Sequence, residues 1–232
     1  MAWWLLTFSR EGAARYISHL DTARALQRTF ARAGIQVRLS EGMRPKPRLS
    51  LGLPLPVGAA ARSELAAVEI AEDQEPTAAH LKALRAAAPE GLVPQSVEVC
   101  AQRPRLEPQV AYYECGLAAA AGAVEAALQW FAGLTAMVVR RETPKAARDV
   151  DLKMYIEGTA VRAATDGAVL CFAVRHRADG AARPDEFMSL IAGRAGVEGT
   201  ARDLVRVGVH YKALPASSSP ESGVRTDGRR QE

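Results

Sequence analysis

One two-faced helix, opened by a polar cap and closed by a glycine, constrains how the first part of this chain can fold. Ser18-His19-Leu20-Asp21 has the form of a helix start. Ser18 can accept from the backbone N–H groups of the first turn, and Asp21, three residues on, is placed to reach back as in a capping box. Ile17, Leu20, Ala23, Leu26, Phe30 and Ala33 recur at three- and four-residue steps and make an apolar stripe, which must be buried against other elements. Arg24, Arg28 and Arg32 recur at every fourth residue and make a basic stripe beside it. Gly34 ends the helix, since glycine takes a left-handed backbone at little cost.

The segments around this helix read as strands. Residues 3–8 are an apolar run, residues 35–39 alternate, and residues 48–53 follow a Ser40-Glu41-Gly42 turn and close at Pro54 and Pro56. Residues 62–71, with Leu65, Val68 and Ile70 edged by Glu64, Glu69 and Glu72, favour another strand. Residues 76–88 form a helix capped by Thr77, with Leu81, Leu84 and Ala88 on its apolar face. Pro89-Glu90-Gly91 breaks it, and residues 93–101 are the closing strand. The order β-α-β-β-β-α-β is an elaborated split βαβ plait.

Residues 102–110, punctuated by Pro104 and Pro108, read as a linker. A second run repeats the order: strand 111–117, helix 122–133, strand 134–140, strand-like runs at 150–158 and 169–176, helix 184–193 with Pro184 in its first turn, and strand 202–210. The expected fold is therefore α+β: two ferredoxin-like halves, residues 1–102 and 111–212, with antiparallel sheets packed by helices. From Pro215 the composition is Ser, Pro, Gly and charge, which predicts a disordered tail over 213–232.

With 48% apolar residues among 232, the chain can bury a proper core. Residues 1–58 carry nine Lys/Arg against three acids, a net of +6, whereas the whole chain is +4. The positive charge is thus concentrated around the first helix and Arg44-Pro45-Lys46-Pro47-Arg48, where each proline holds the residue before it extended. Cys100, Cys115 and Cys171 are isolated, without metal or redox spacing. The apolar start is too short for a leader and lacks a cleavage site, and no window spans a membrane, so a cytoplasmic protein is expected. The chain has no Walker motif, dinucleotide fingerprint, nucleophile elbow or cluster-binding cysteine triad, and no cofactor, metal or enzyme active site is expected.

The candidate binding surface comprises Tyr16, Ser18, His19, Asp21, Arg24, Arg28, Arg44, Lys46 and Arg48. His19-Leu20-Asp21 is either an anion-binding helix start or a cap that fastens a loop; the two side chains do not share a helix face. The two basic features, separated by one short strand, would hold several phosphates if they shared a surface; Tyr16 and the tryptophans could stack on bases, but at 6% aromatic residues a stacking platform is not supported. Asp149 and Asp151 point to one side of a strand but lack a third ligand, so that region is read as a solvated edge. Gly180-Ala181-Ala182-Arg183-Pro184 could cradle an anion, as many loop-to-helix transitions could.

Tyr16-Ile17-Ser18-His19-Leu20-Asp21, then Arg24, Arg32-Ala33-Gly34, Ser40-Glu41-Gly42, Pro45-Lys46-Pro47 and Leu53-Pro54-Leu55-Pro56-Val57-Gly58 with Ser63-Glu64, resemble the motifs of the DUF2344, or radical SAM-linked, proteins of bacteria. The resemblance is concentrated in residues 15–64; Asp149-Val150-Asp151 and Gly180 to Pro184 resemble family positions more loosely. Met43, Arg44 and Lys46 stand where the family usually has Phe, Asn and His, which makes this turn more basic. The resemblance implies a protein fused to, or encoded beside, a B12-binding-type radical SAM protein that carries the cluster-binding cysteines. The reading that follows is a non-catalytic accessory module, binding or presenting tRNA or rRNA. The alternatives are an enzyme or enzyme half using His19 and Asp21 on a small anionic substrate, or a protein–protein adaptor.

Overall fold

The computed structural model describes residues 2–71, 75–142, 147–197 and 203–212. In chain order the elements are β1 (Trp3–Arg10), a 3-10 turn (Gly12–Tyr16), α1 (His19–Arg32), β2 (Leu49–Leu51), β3 (Ala60–Glu69), α2 (Ala78–Ala87), β4 (Leu92–Cys100), β5 (Pro108–Leu117) and α3 (Ala121–Gly133). There follow β6 (Val138–Glu142), β7 (Ala147–Asp151), a second 3-10 turn (Leu152–Met154), β8 (Ile156–Ala164), β9 (Gly167–Arg175), α4 (Pro184–Arg194) and β10 (Asp203–Tyr211). Among the described residues this is an α+β protein with four helices and one large, mostly antiparallel sheet. The tail over 213–232, Glu72 and the turn Thr143-Pro144-Lys145 lie outside the described residues.

The sheet runs β4-β1-β3-β10-β5-β9-β8, and among the described residues only the β3–β10 pair is parallel. β1 covers one edge of the ten-residue β3, and the other edge is divided between two strands. β10 pairs with its beginning, Val205 opposite Ala60 and Arg206 opposite Ala61. β2 pairs with its end, from Leu51 opposite Ala66 to Leu49 opposite Val68. Alternation splits β1 and β3 between two cores. Trp4, Leu6 and Phe8, with Ala66 and Val68, pack with Leu26, Phe30 and Leu84 of α1 and α2. Leu5, Ala61 and Leu65 belong to a second core with Val124, Phe131, Phe187 and Ile191 of α3 and α4.

Several elements depart from expectation for identifiable reasons. α1 buries Thr22, Ala25, Leu26, Thr29 and Phe30, while Leu20 is exposed. The two threonines can go inside because their hydroxyls donate to the carbonyls of Ser18 and Ala25, four residues back. Residues 35–39 contribute only isolated bridges, Val37 to Ile70 and Leu39 to Pro47, since Pro45 and Pro47 cannot donate to a ladder. The expected strand over 150–158 is interrupted. Asp151 Oδ1 accepts from the N–H groups of Met137 at 2.8 Å and Lys153 at 3.0 Å, and the buried Leu152 turns the chain. As a result β6 pairs with β7 in a separate two-stranded sheet. β8 then runs on to Ala164 as an edge strand; its side chains are scarcely buried, so its sequence shows no alternation.

Gly52 marks a close approach at which glycine is required. Its N–H donates to Leu65 O at 2.9 Å, and a Cβ there would lie 2.0 Å from the Tyr211 hydroxyl oxygen. Gly52→Ala should therefore destabilise the protein by about 1–3 kcal/mol, as overpacking does. Urea unfolding would measure it, and the loss should shrink when Tyr211→Phe is already present.

Candidate functional site

Where the edge of β3 changes partner, side chains complete the structure. Arg206 on β10 is 0% exposed. Its Nε donates to Glu64 Oε1 at 2.8 Å, and Nη2 donates to the other carboxylate oxygen. The same guanidinium donates to Pro54 O at 3.0 Å and to Leu53 O at 2.6 Å, the segment that leaves β2. Burial opposes the charge of Arg206, but the charge and hydrogen bonds of Glu64 outweigh it and raise its pKa. The Tyr211 hydroxyl accepts from Leu53 N–H at 3.0 Å, and burial pushes that phenol up to about 12. Tyr113, opposite Arg206 on β5, is buried and shifted up for the same reason. Arg10 is also buried and donates to Ala14 O and Ile17 O, which fixes the chain entering α1.

A cleft of about 900 Å³ opens beside this junction. One wall is residues 53–59. Arg15 pins it: its Nε donates to Gly58 O at 2.8 Å and its carbonyl accepts from Gly58 N–H at 2.8 Å. Gly58 takes φ +91°, a left-handed conformation that favours glycine. Tyr16 stands beside Gly58 with 68% of its surface exposed. The other wall is the start of α4, with Arg183, Pro184, Asp185, Met188 and Ser189. Arg141 of β6 braces it through a two-pronged pair with Glu186, both contacts at 2.6 Å, and a bond to Ala181 O at 3.1 Å. Arg148 of β7 reaches the carbonyl of Asp179. Buried Tyr113 and Leu204 line the inner surface, together with His176. The Nε2 atom of His176 is buried and has no hydrogen-bond partner among the described residues, and burial, with Arg206 nearby, lowers its pKa.

The residues singled out by sequence fall into five places. Ser18 caps α1: its Oγ accepts from Asp21 N–H at 3.1 Å and donates to Asp21 Oδ2 at 2.7 Å. Asp21 therefore returns to the cap's hydroxyl rather than to its backbone, and its other oxygen takes Arg24 at 3.0 Å. These contacts hold the Asp21 carboxyl below the usual range. His19 lies half-buried in the field of Glu64, Arg10 and Arg206, and burial with the two arginines lowers its pKa against the pull of Glu64. Tyr16 joins the cleft. Arg48 pairs at 2.7 Å with Glu69, which is 2% exposed and also takes Arg38 at 3.4 Å. Arg28, Arg44 and Lys46 are exposed. Asp149, opposite Arg140 in the β6–β7 pair, is solvated as expected, but Arg141, the next residue of β6, is largely buried in the brace to α4.

Sequence reasoning missed Arg206, His176 and Tyr113, and read Glu64 only as a strand edge. The available signal was a charge at a core-facing position. Arg206 shares the alternation of Leu204, and Glu64 shares that of Ala66 and Val68.

A sequence model described as "Uncharacterized protein conserved in bacteria (DUF2344)" matches residues 4–184. No curated protein matches the chain. Among solved structures, the crystal structure of an unknown protein from Galdieria sulphuraria is similar at 12% identity, over 84% of this chain and 89% of that one, with a TM-score of 0.26.

Removing one member of the buried pair should be costly. Glu64→Gln leaves Arg206 buried without its counter-charge and should lose about 3–5 kcal/mol in urea unfolding, while the double change Glu64→Leu/Arg206→Met should lose less. Stability should also respond to pH. Unfolded histidines titrate near pH 6.5, and His19 and His176 bind protons less readily in the folded chain. The unfolded state therefore takes up more protons as pH falls through about 6.5, and stability decreases there. Urea midpoints should decline from about pH 6.5 to 5, and a His19→Gln/His176→Phe variant should give a flatter profile.

Proposed function

The chain belongs to the DUF2344 family of uncharacterised bacterial proteins, and from that premise we propose that it is a non-catalytic binding module of a B12-type radical SAM system that holds tRNA or rRNA on a basic surface. The observation that carries this reading is the loop over residues 41–46. It presents Arg44 and Lys46 to solvent, with no ion pair to a carboxylate among the described residues. Met43 at its tip is 102% exposed, and Pro45 and Pro47 stiffen the segment. Exposed cations on a stiff support suit phosphates, which are bound chiefly as charge. Arg24, Arg28 and Arg32 on α1 add exposed positive charge.

The proposal includes the architecture: two split βαβ plaits, residues 1–102 and 111–212. The strand orders β4-β1-β3-β2 and β10-β5-β9-β8 support it, with β6 and β7 as an insertion in the second plait. The radical SAM partner would supply the cluster chemistry, and this chain the basic surface that holds the substrate's phosphate backbone. No helix among the described residues is long and apolar enough to cross a membrane.

Purified protein titrated with tRNA and rRNA fragments across a salt series tests the reading. Binding should weaken steeply with salt, and Arg44→Ala/Lys46→Ala should reduce the slope of log affinity against log salt by about 1–2. Absence of binding at low salt, or an unchanged slope in the variant, would sink it.

A further inference from the structure

We propose that the cleft between residues 53–59 and the start of α4 takes one neutral, planar nucleobase, either of a free nucleoside or of an unpaired nucleotide in RNA. The choice of occupant rests on the RNA reading above. The chemistry of the cleft narrows it independently.

The cleft, at about 900 Å³, is in the size range of small-ligand sites. Its walls are held before any ligand arrives. Arg206 fixes the carbonyls of Leu53 and Pro54, Arg15 fixes Gly58, and Arg141 fixes Glu186 and Ala181. Such preorganisation lowers the ordering cost of binding.

The lining selects against anions. Leu55, Pro56, Met188 and Leu204 present apolar surface that cannot solvate a phosphate or carboxylate. The start of α4 is already provided with negative charge. Pro184 has no N–H, Asp185 and Glu186 occupy the first turn, and Glu186 accepts the Arg183 N–H at 3.2 Å. Arg183 and Asp185 at the rim oppose each other in charge. A neutral ligand is favoured.

The polar groups that remain suit the edge of a heterocycle. His176 Nε2 is buried and has no partner among the described residues, and burial, with Arg206 nearby, disfavours protonation of that ring. A buried nitrogen without a partner is unfavourable; Nε2 itself has almost no accessible surface, so a base edge that supplied its partner would need a small shift of the lining around His176. Ser189 on the first turns of α4 offers a hydroxyl. Tyr16 presents an exposed ring at the rim, the kind of face on which an unstacked base lies.

The test titrates the full chain with adenosine, guanosine, cytidine and uridine by ligand-observed NMR, and with single-stranded RNA oligomers, at low and high salt. Ser189→Trp, at an exposed helical position on the rim, should block the cleft without disturbing the core. His176→Phe removes the nitrogen and keeps the ring size. At least one nucleoside should bind with little salt dependence, lose binding in Ser189→Trp and weaken about tenfold in His176→Phe. It should bind unchanged in Arg44→Ala/Lys46→Ala. If no free nucleoside binds but Ser189→Trp weakens the RNA oligomer, the base is taken from RNA and the proposal stands. If no nucleoside binds and Ser189→Trp leaves RNA affinity intact, the cleft proposal is overturned while the RNA reading survives. Nucleoside binding without any RNA binding would do the reverse.

Discussion

One guanidinium holds the two sides of this sheet together. β2 is only three residues long, so it covers one end of β3 and leaves the rest of that edge for β10. Between the two, the chain leaving β2 points the part-buried carbonyls of Leu53 and Pro54 at the buried Arg206 side chain, where each needs a donor. Arg206 meets this need because its donors sit in a rigid planar fork that reaches Glu64 and both carbonyls at once. A lysine, with one compact ammonium, would not. Burying an ion pair this deeply is not an economical route to stability, since apolar residues of similar size often do as well. What the pair provides is position: β3, β10 and the 53–59 segment are held in one arrangement.

That arrangement decides where the cleft lies. Its walls come from segments more than a hundred residues apart, 53–59 and 182–189, and each is pinned by an arginine from a third place. The β6–β7 hairpin makes sense in these terms. It adds nothing to the main sheet, but it carries Arg141 and Arg148 to the loop and first turn of α4. A charged strand that looks like solvated decoration is therefore a brace.

The order and type of most elements were legible because they rest on local signals: the Ser18 and Thr77 caps, the glycine at position 34, the apolar runs of β1 and β9. β8 and the β6–β7 hairpin were not. An exposed edge strand has nothing to alternate, and the break at Asp151 depends on an N–H from Met137, fourteen residues away. The site was half legible. The motif at residues 16–21, the 53–58 turn and the run from Gly180 to Pro184 could each be picked out, and Tyr16, the turn and the start of α4 meet at one cleft. That they meet there was not visible, because convergence is set by the β3–β10 pairing, and a parallel pair with two registered residues leaves no mark on either strand's sequence.

Charge shows the same limit from the other side. Counting residues 1–58 gives an excess of six cations, but the carboxylate that neutralises two of them, Glu69, lies just beyond that window on β3. Arg48 and Arg38 are drawn to Glu69, Arg24 to Asp21, and Arg10 is buried in the structure. The exposed charge that remains is concentrated on the outer face of α1 and at Arg44 and Lys46. The cleft, in contrast, is close to neutral and mostly apolar. One chain thus offers a surface suited to polyanion charge and a slot suited to an uncharged ring. RNA carries both features in each nucleotide, a charged phosphate and a neutral base. A purely acidic protein partner would use the first surface and leave the second without a purpose.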